Sequence, residues 1–241
     1  MTSLGPAQAS GVSQCKPWVR RELIRIRSRK VIAIKRLTIF AAALVLSAFP
    51  MAKAQEGGPP LTREQVINDP DMPYAGSKHA NLTIAEFMDY NCPFCRKTHP
   101  EILKLLAQSK HVRVLYKEWP IFGPVSQYAA HLALASKWQG KYLDVHNALM
   151  GSPRRLATDE EVRDIAARAG VDMRRLAADM KTHAAEIQAI LDRNNMQADA
   201  IGLQGTPAFV AGPFLVPGAL SLSDLKKLVS AARKGATKTA D

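Results

Sequence analysis

The chain has 241 residues, 47% hydrophobic and 6% aromatic, with three cysteines and a formal net charge of +12. That length supports one good core with a subdomain, and the scarcity of aromatics argues against an all-β sandwich. The charge suggests nucleic acid or membrane until it is located: residues 1–54 hold ten Lys/Arg and one acid, leaving 23 basic and 20 acidic groups in a body without a basic stripe, which excludes nucleic-acid binding.

Residues 1–34 form a basic extension in which "RRELIRIRSRK" interleaves cations with aliphatics. Read for function it is a basic amphipathic surface helix. The preferred expectation is that translation starts further down, at Val31 or Ile34 from a non-AUG codon. Residues 35–54 then read as a secretory signal peptide: Lys35 and Arg36, an apolar run from Leu37 to Phe49, and a small-x-small cleavage pattern at Ala52-Lys53-Ala54. The run is shorter than the roughly 20 residues of a membrane span. The expected cut follows Ala54, and the mature chain starts at Gln55, outside the cytoplasm, where disulfides persist.

Residues 55–81 are a lead, with a capping box at Thr62-x-x-Gln65 opening a short helix that Pro70 ends. Tyr74–Asn81 reads as loop with a brief edge strand. "LTIAEFM", Leu82–Met88, is apolar nearly throughout, as a buried strand is. A helix follows from Pro93, and "HVRVLYKEW" alternates as a second strand. From about 125 to 203 the pattern is helical, with a capping box at Thr158-x-x-Glu161, a cap at Asp172 and a C-cap glycine at Gly170. "PAFVAG" and "PFLVPG" read as a hairpin through Gly212-Pro213. Ser221 or Ser223 caps a last helix with Leu225, Leu228 and Val229 on one face, and residues 236–241 read as a frayed tail. The fold class is α/β: a thioredoxin-like domain over 82–235 with an inserted all-helical subdomain.

Cys92 and Cys95 bracket Pro93-Phe94 at the strand-to-helix junction. Structural zinc usually takes four ligands; His99 is a third at most, and nothing supplies a fourth. A disulfide this short closes too small a loop to stabilise a domain much. A redox pair has a physical rationale here. With Cys92 at the N-cap, Pro93 costs nothing at N1, and the N–H groups of Phe94 and Cys95 point back at the Cys92 sulfur. The helix dipole alone stabilises a thiolate there by ~0.3–1 kcal/mol, up to ~2 when partly buried, or about one pKa unit. Cys92 is therefore the expected nucleophile and Cys95 the resolving thiol.

"EFMDYNCPFCRKTHP" followed far downstream by "GTPAFV" resembles the DsbA family of thioredoxin-fold thiol:disulfide oxidoreductases. C-P-x-C ends a buried strand, Pro100 sits five residues past Cys95, Thr206-Pro207 matches the family's cis-proline, and the helical block lies where DsbA-type proteins insert one. The resemblance implies catalysis by Cys92 and Cys95, with Pro93, Phe94, Thr206 and Pro207 in support. It places Glu86 at the family's buried-acid position, as proton acceptor of the resolving cysteine, and Lys117 at a lysine that pairs with that acid. The best-known members have Pro-His between the cysteines; Phe94 offers only its N–H, so a less oxidising pair is expected.

It further implies a periplasmic enzyme with no cofactor and no metal. Its partners are unfolded or folding exported proteins and a membrane redox partner that resets the cysteines. Isomerases of the ScsC and DsbC kinds assemble through a long N-terminal extension. Here Pro59, Pro60, Pro70 and Pro73 break the lead, so a monomeric oxidase is expected, with isomerase or reductase as the alternative. A secreted binding protein on a thioredoxin frame is the rival from another class. The other candidates read as structure: His99 on the surface, Arg96 and Lys97 toward solvent, Trp119, Phe122 and Tyr128 as core and interdomain packing with a substrate groove as the alternative, and Asn195 and Asp199 on a solvated face.

Overall fold

The computed structural model of the chain describes residues 62–238. The basic extension, the expected signal peptide and its expected cut after Ala54, and the lead up to residue 61 lie outside the described residues.

Helix α1 (Arg63–Ile67) opens on the expected capping box: the Thr62 side chain accepts from the Gln65 N–H and Gln65 reaches back to the Thr62 N–H. Strand β1 (Tyr74–Gly76) is the brief edge strand. Strand β2 (Leu82–Met88) has all seven residues buried, helix α2 runs from Pro93 to Gln108, and strand β3 (Val112–Glu118) follows. β2 and β3 are parallel, so the α2 crossover joins them. Helices α3 (Pro124–Ala135), α4 (Tyr142–Met150), α5 (Asp159–Arg168), α6 (Met173–Thr182) and α7 (Ala184–Ala200) form the inserted helical block, with a 3₁₀ turn at Ser136–Gln139. The chain returns through β4 (Ala208–Ala211) and β5 (Phe214–Pro217), a hairpin whose first turn residue, Gly212, has φ +52°, where glycine carries no Cβ penalty. Helix α8 (Leu222–Lys238) closes the fold, and Ser221 is its cap, accepting from the Asp224 N–H.

The five strands lie in the order β1-β3-β2-β4-β5, with β4 antiparallel to β2. This is the expected thioredoxin-type sheet with a helical insertion. Ile84, Phe87, Ile102, Leu105, Val114 and Phe209 are buried in its core, each contributing ~1.5–3 kcal/mol by leaving water. Among the described residues no helix is long and apolar enough to cross a membrane.

Pairing register decides which side chains share a face. Glu86 lies opposite Tyr116 and Phe87 opposite Lys117. Side chains alternate along a strand, so Glu86, Tyr116 and Glu118 share one face and Lys117 takes the other. The expected pairing of Lys117 with Glu86 is therefore wrong by one residue of register. The fully buried Lys117 ammonium donates instead to Asp69 Oδ2 at 2.6 Å and to Gln197 Oε1 at 2.8 Å. Asp69 also holds Arg193 at 3.0 Å.

Other expectations need correction. β3 does not alternate between core and solvent: it lies inside the sheet with both faces covered, and only Arg113 is partly exposed. Thr158 caps α5, but Glu161 does not complete the box; its carboxylate takes the Ala157 N–H and Arg154. The last helix continues through Lys238, past the expected fray point.

Candidate active site

The junction between β2 and α2 is held by hydrogen bonds of Asp89 and Asn91. The Asp89 carboxylate accepts from the Asn91 N–H at 2.7 Å and from the Phe122 N–H at 2.9 Å. The Asn91 side chain makes paired hydrogen bonds with Leu156 across the helical block: its amide donates to the Leu156 carbonyl at 3.2 Å, and its oxygen accepts the Leu156 N–H at 2.8 Å. These contacts tie the cysteine loop to two loops of the helical insertion.

Cys92 is the N-cap of α2, with φ −75° and ψ 118°, and Pro93 is the first helical residue. Both cysteines are free thiols and both are buried. The Thr206–Pro207 peptide is cis, and the Thr206 carbonyl accepts the Cys92 Sγ–H at 3.1 Å. Thus the residues at 92–95 and 206–207, distant in the chain, meet at one sulfur.

The two thiols are driven apart in acidity. Cys92 is lowered to about 6: the Cys95 thiol donates to it, burial opposes, and the Thr206 side chain and the N–H groups of Cys95 and Phe94 add to the lowering. The Thr206 hydroxyl has no hydrogen-bond partner among the described residues, so it is available to the thiolate. This reaches further than the about one unit a helix dipole supplies; direct hydrogen bonds to sulfur account for the difference. Cys95 is raised far above a free thiol, by burial first, then by its hydrogen bond to Cys92 and by Glu86. The alkylation rate of Cys92 in the reduced protein is expected to rise through about pH 6 and level off above it, because only the thiolate reacts. Iodoacetamide trapping across pH with mass-spectrometric readout checks this, and a midpoint near 9 contradicts it.

Glu86 is buried, and its Oε1 has no hydrogen-bond partner. Burial first, then the negative charges of Cys92 and Glu118, raise its carboxyl to about 8, so at neutral pH it holds a proton beside the Cys92 thiolate. Phe94 does what its residue type suggests: it contributes its N–H and leaves its ring 58% exposed.

Three features were not anticipated. A buried polar cluster lies behind Glu86: Tyr90 and Tyr142 each donate to Glu118 Oε1 at 2.7 Å, and His146 Nδ1 lies 3.2 Å from the Tyr90 oxygen. Burial raises Glu118 to about 8 and pushes His146 well below an ordinary histidine. Second, His99 is not on the surface. It is buried, 5.1 Å centroid to centroid from His146, and lowered to about 4 chiefly by burial. Third, Arg96 does not project to solvent; its guanidinium donates to the carbonyls of Ser152 and Arg154. Tyr116, whose ring centroid lies 3.9 Å from that of His146, joins the cluster; its two-residue spacing from Glu118 in β3 is legible in the sequence, but the helical partners have no sequence proximity to it. Asn195 accepts from the Trp119 indole at 3.0 Å, so it too serves packing beyond a solvated face.

A family model described as a DSBA-like thioredoxin domain matches residues 83–230. The crystal structure of a thioredoxin-like oxidoreductase from Silicibacter pomeroyi DSS-3 is 40% identical, over 72% of this chain and 99% of that one, with a TM-score of 0.68. The catalytic domain of Proteus mirabilis ScsC is 26% identical, over 70% of this chain and 93% of that one, at 0.61. The Pseudomonas aeruginosa thiol:disulfide interchange protein DsbA is 27% identical over 185 residues, 73% of this chain and 83% of that protein. The chain also matches curated Na(+)/H(+) antiporters, such as NhaA 1 of Salinispora arenicola, at 25% identity over 170 residues, but spans about a quarter of their length. With the family model covering more than half of the chain, this protein belongs to the DSBA-like thioredoxin domain family.

Proposed function

We propose that this chain is an exported thiol:disulfide oxidoreductase that acts as an oxidase, donating its Cys92–Cys95 disulfide to folding exported proteins in the periplasm. The observation that carries this reading is the opposite displacement of the two thiols, Cys92 down to about 6 and Cys95 far up. A substrate thiolate attacks Cys92 Sγ; the mixed disulfide forms as the Cys92–Cys95 bond breaks, and Cys95 leaves with the electron pair and takes a proton. A second substrate thiolate then attacks the substrate sulfur and expels the Cys92 thiolate, a good leaving group because it is stabilised. Two electrons pass to the enzyme, and a membrane oxidant must take them back.

Glu86 exchanges the proton with Cys95. While Cys92 sits in a disulfide it carries no charge, which removes one of the causes that raise Glu86. The carboxylate form then becomes more accessible when the resolving thiol has to lose its proton. The chain acts as a monomer in this reading.

Likeness to ScsC favours one second reading, an isomerase or reductase. Alkylation trapping of the pair in the exporting cell decides between them. A mostly disulfide state supports the oxidase; a mostly dithiol state, with turnover of scrambled but not of reduced substrates, overturns it.

The Phe94 position tunes the pair. Phe94→His is expected to make the protein more oxidising, because an exposed imidazolium beside Cys92 adds positive charge that favours the thiolate, and hence the reduced form. A glutathione redox titration of the two proteins checks this; an unchanged or lower potential contradicts it.

A further inference from the structure

A cleft of about 990 Å³ begins beside the cysteine pair, and the thiol–disulfide exchange itself makes no use of it. One wall is the first turns of α2, from Pro93 through Arg96 and Lys97 to Leu103; the other is the loop after α4, which carries Arg154 and Arg155. Leu103 and Phe122 line it while remaining 41% and 38% exposed, so it presents apolar surface to incoming chains. Pro93 adjoins Cys92 directly. Pro93 to Leu103 spans about 15 Å of helix, room for four or five extended residues.

Charge distinguishes this cleft from the rest of the body. Its lining holds four permanent cations, Arg96, Lys97, Arg154 and Arg155, and no carboxylate. Arg154 is balanced by Glu161 at 3.2 Å, outside the lining. Arg96 and Arg155 are held by backbone carbonyls, of Ser152 and Arg154 and of Phe122 respectively, which position the guanidinium without cancelling its charge. Lys97 is exposed and has no ion pair among the described residues. Lys97 and Arg155 therefore stand without an ion pair among the described residues, next to Arg96, whose charge Glu161 also feels, in a body that is otherwise nearly neutral. A groove lined by one sign of charge concentrates and orients oppositely charged chains.

We infer that this cleft receives the segment flanking the substrate cysteine and selects substrates in which that segment is acidic. The inference rests on the disulfide-exchange reading and names its substrate class. The covalent step is unchanged: the substrate thiolate attacks Cys92 Sγ and Cys95 leaves with the electron pair. The cleft sets how often that thiolate arrives and how long its flank is held.

Three dithiol peptides test it, identical except for Asp/Glu, Gly/Ser or Lys residues beside the cysteines, each reacted with the full oxidised protein at low and high salt. The acidic peptide is expected to react about tenfold faster than the basic one at low salt, the difference shrinking at high salt as screening shortens the reach of the cations. In the double variant Lys97→Glu/Arg155→Glu the order of acidic and basic peptides is expected to invert, whereas Lys97→Arg/Arg155→Lys keeps it. A parallel titration with cysteine-free versions of the peptides reads binding apart from redox chemistry, and only the acidic one is expected to bind detectably. Equal rates for the three peptides, or equal affinities in the titration, overturn the inference while turnover of the neutral peptide leaves the exchange reading standing. Absence of turnover with all three overturns that reading instead, and the titration still decides the cleft.

Discussion

Replacing Cys92 by Ser is expected to abolish oxidation of dithiol substrates to the uncatalysed background, whereas Cys95→Ser is expected to trap the enzyme on its substrates. The asymmetry follows from geometry. Cys92 is the helix N-cap, its sulfur lies against the Thr206 carbonyl, and the Cys95 thiol beside it is the largest cause of its lowered pKa. Cys95 lies one turn inside, buried and raised beside Glu86. Serine at 92 removes the only sulfur at which a mixed disulfide forms, and its alcohol stays protonated at any working pH. Serine at 95 leaves the stabilised Cys92 thiolate free to attack a substrate disulfide but removes the thiol that would resolve the adduct. Thiol counting on a reduced peptide and non-reducing gels of Cys95→Ser check both arms. Full turnover by Cys92→Ser, or adducts attached through residue 95 in the Cys92→Ser protein, would reverse the assignment.

The second large effect is on stability. Asp69→Ala is expected to destabilise the protein by about 3–5 kcal/mol, because it strands a fully buried ammonium. Lys117 is 0% exposed and holds Asp69 at 2.6 Å; without that carboxylate only the neutral Gln197 oxygen remains. Lys117→Met is expected to cost less, since Asp69 keeps Arg193 at 3.0 Å, and combining Lys117→Met with Asp69→Leu should recover much of the Asp69→Ala loss by replacing the pair with apolar groups. Urea unfolding of the three variants measures these differences. The folded Lys117→Met protein is expected to retain its redox potential, since the pair lies on the sheet face away from Glu86. A shifted potential would return Lys117 to the active site.

These two predictions separate what a linear reading reaches from what it does not. The strand before the cysteines, the helix opening at Pro93, the nucleophile, the hairpin through Gly212-Pro213 and the cis-proline opposite the sulfur are local or motif-borne features. Each depends on neighbouring residues or on a spacing that survives in one dimension. Lys117 shows where such reading stops. Its residue type and strand were legible, but its face depends on whether it pairs beside Glu86 or beside Phe87, and a shift of one residue exchanges the two faces of a strand.

His99 shows the same limit on a helix. Its place before Pro100 on α2 suggested surface, yet α4 packs over it through His146. Arg96 changed from a solvated cation to one docked on backbone carbonyls because the loop after α4 comes within its reach. The sequence alone determined the chemistry available to this protein: a cysteine pair at a helix N-terminus, with Thr206-Pro207 to face it. Tertiary structure decided the environment of that pair, which acid lies behind Cys95 and which cations flank Cys92, because strand register and helix docking are set by contacts between residues far apart in the chain.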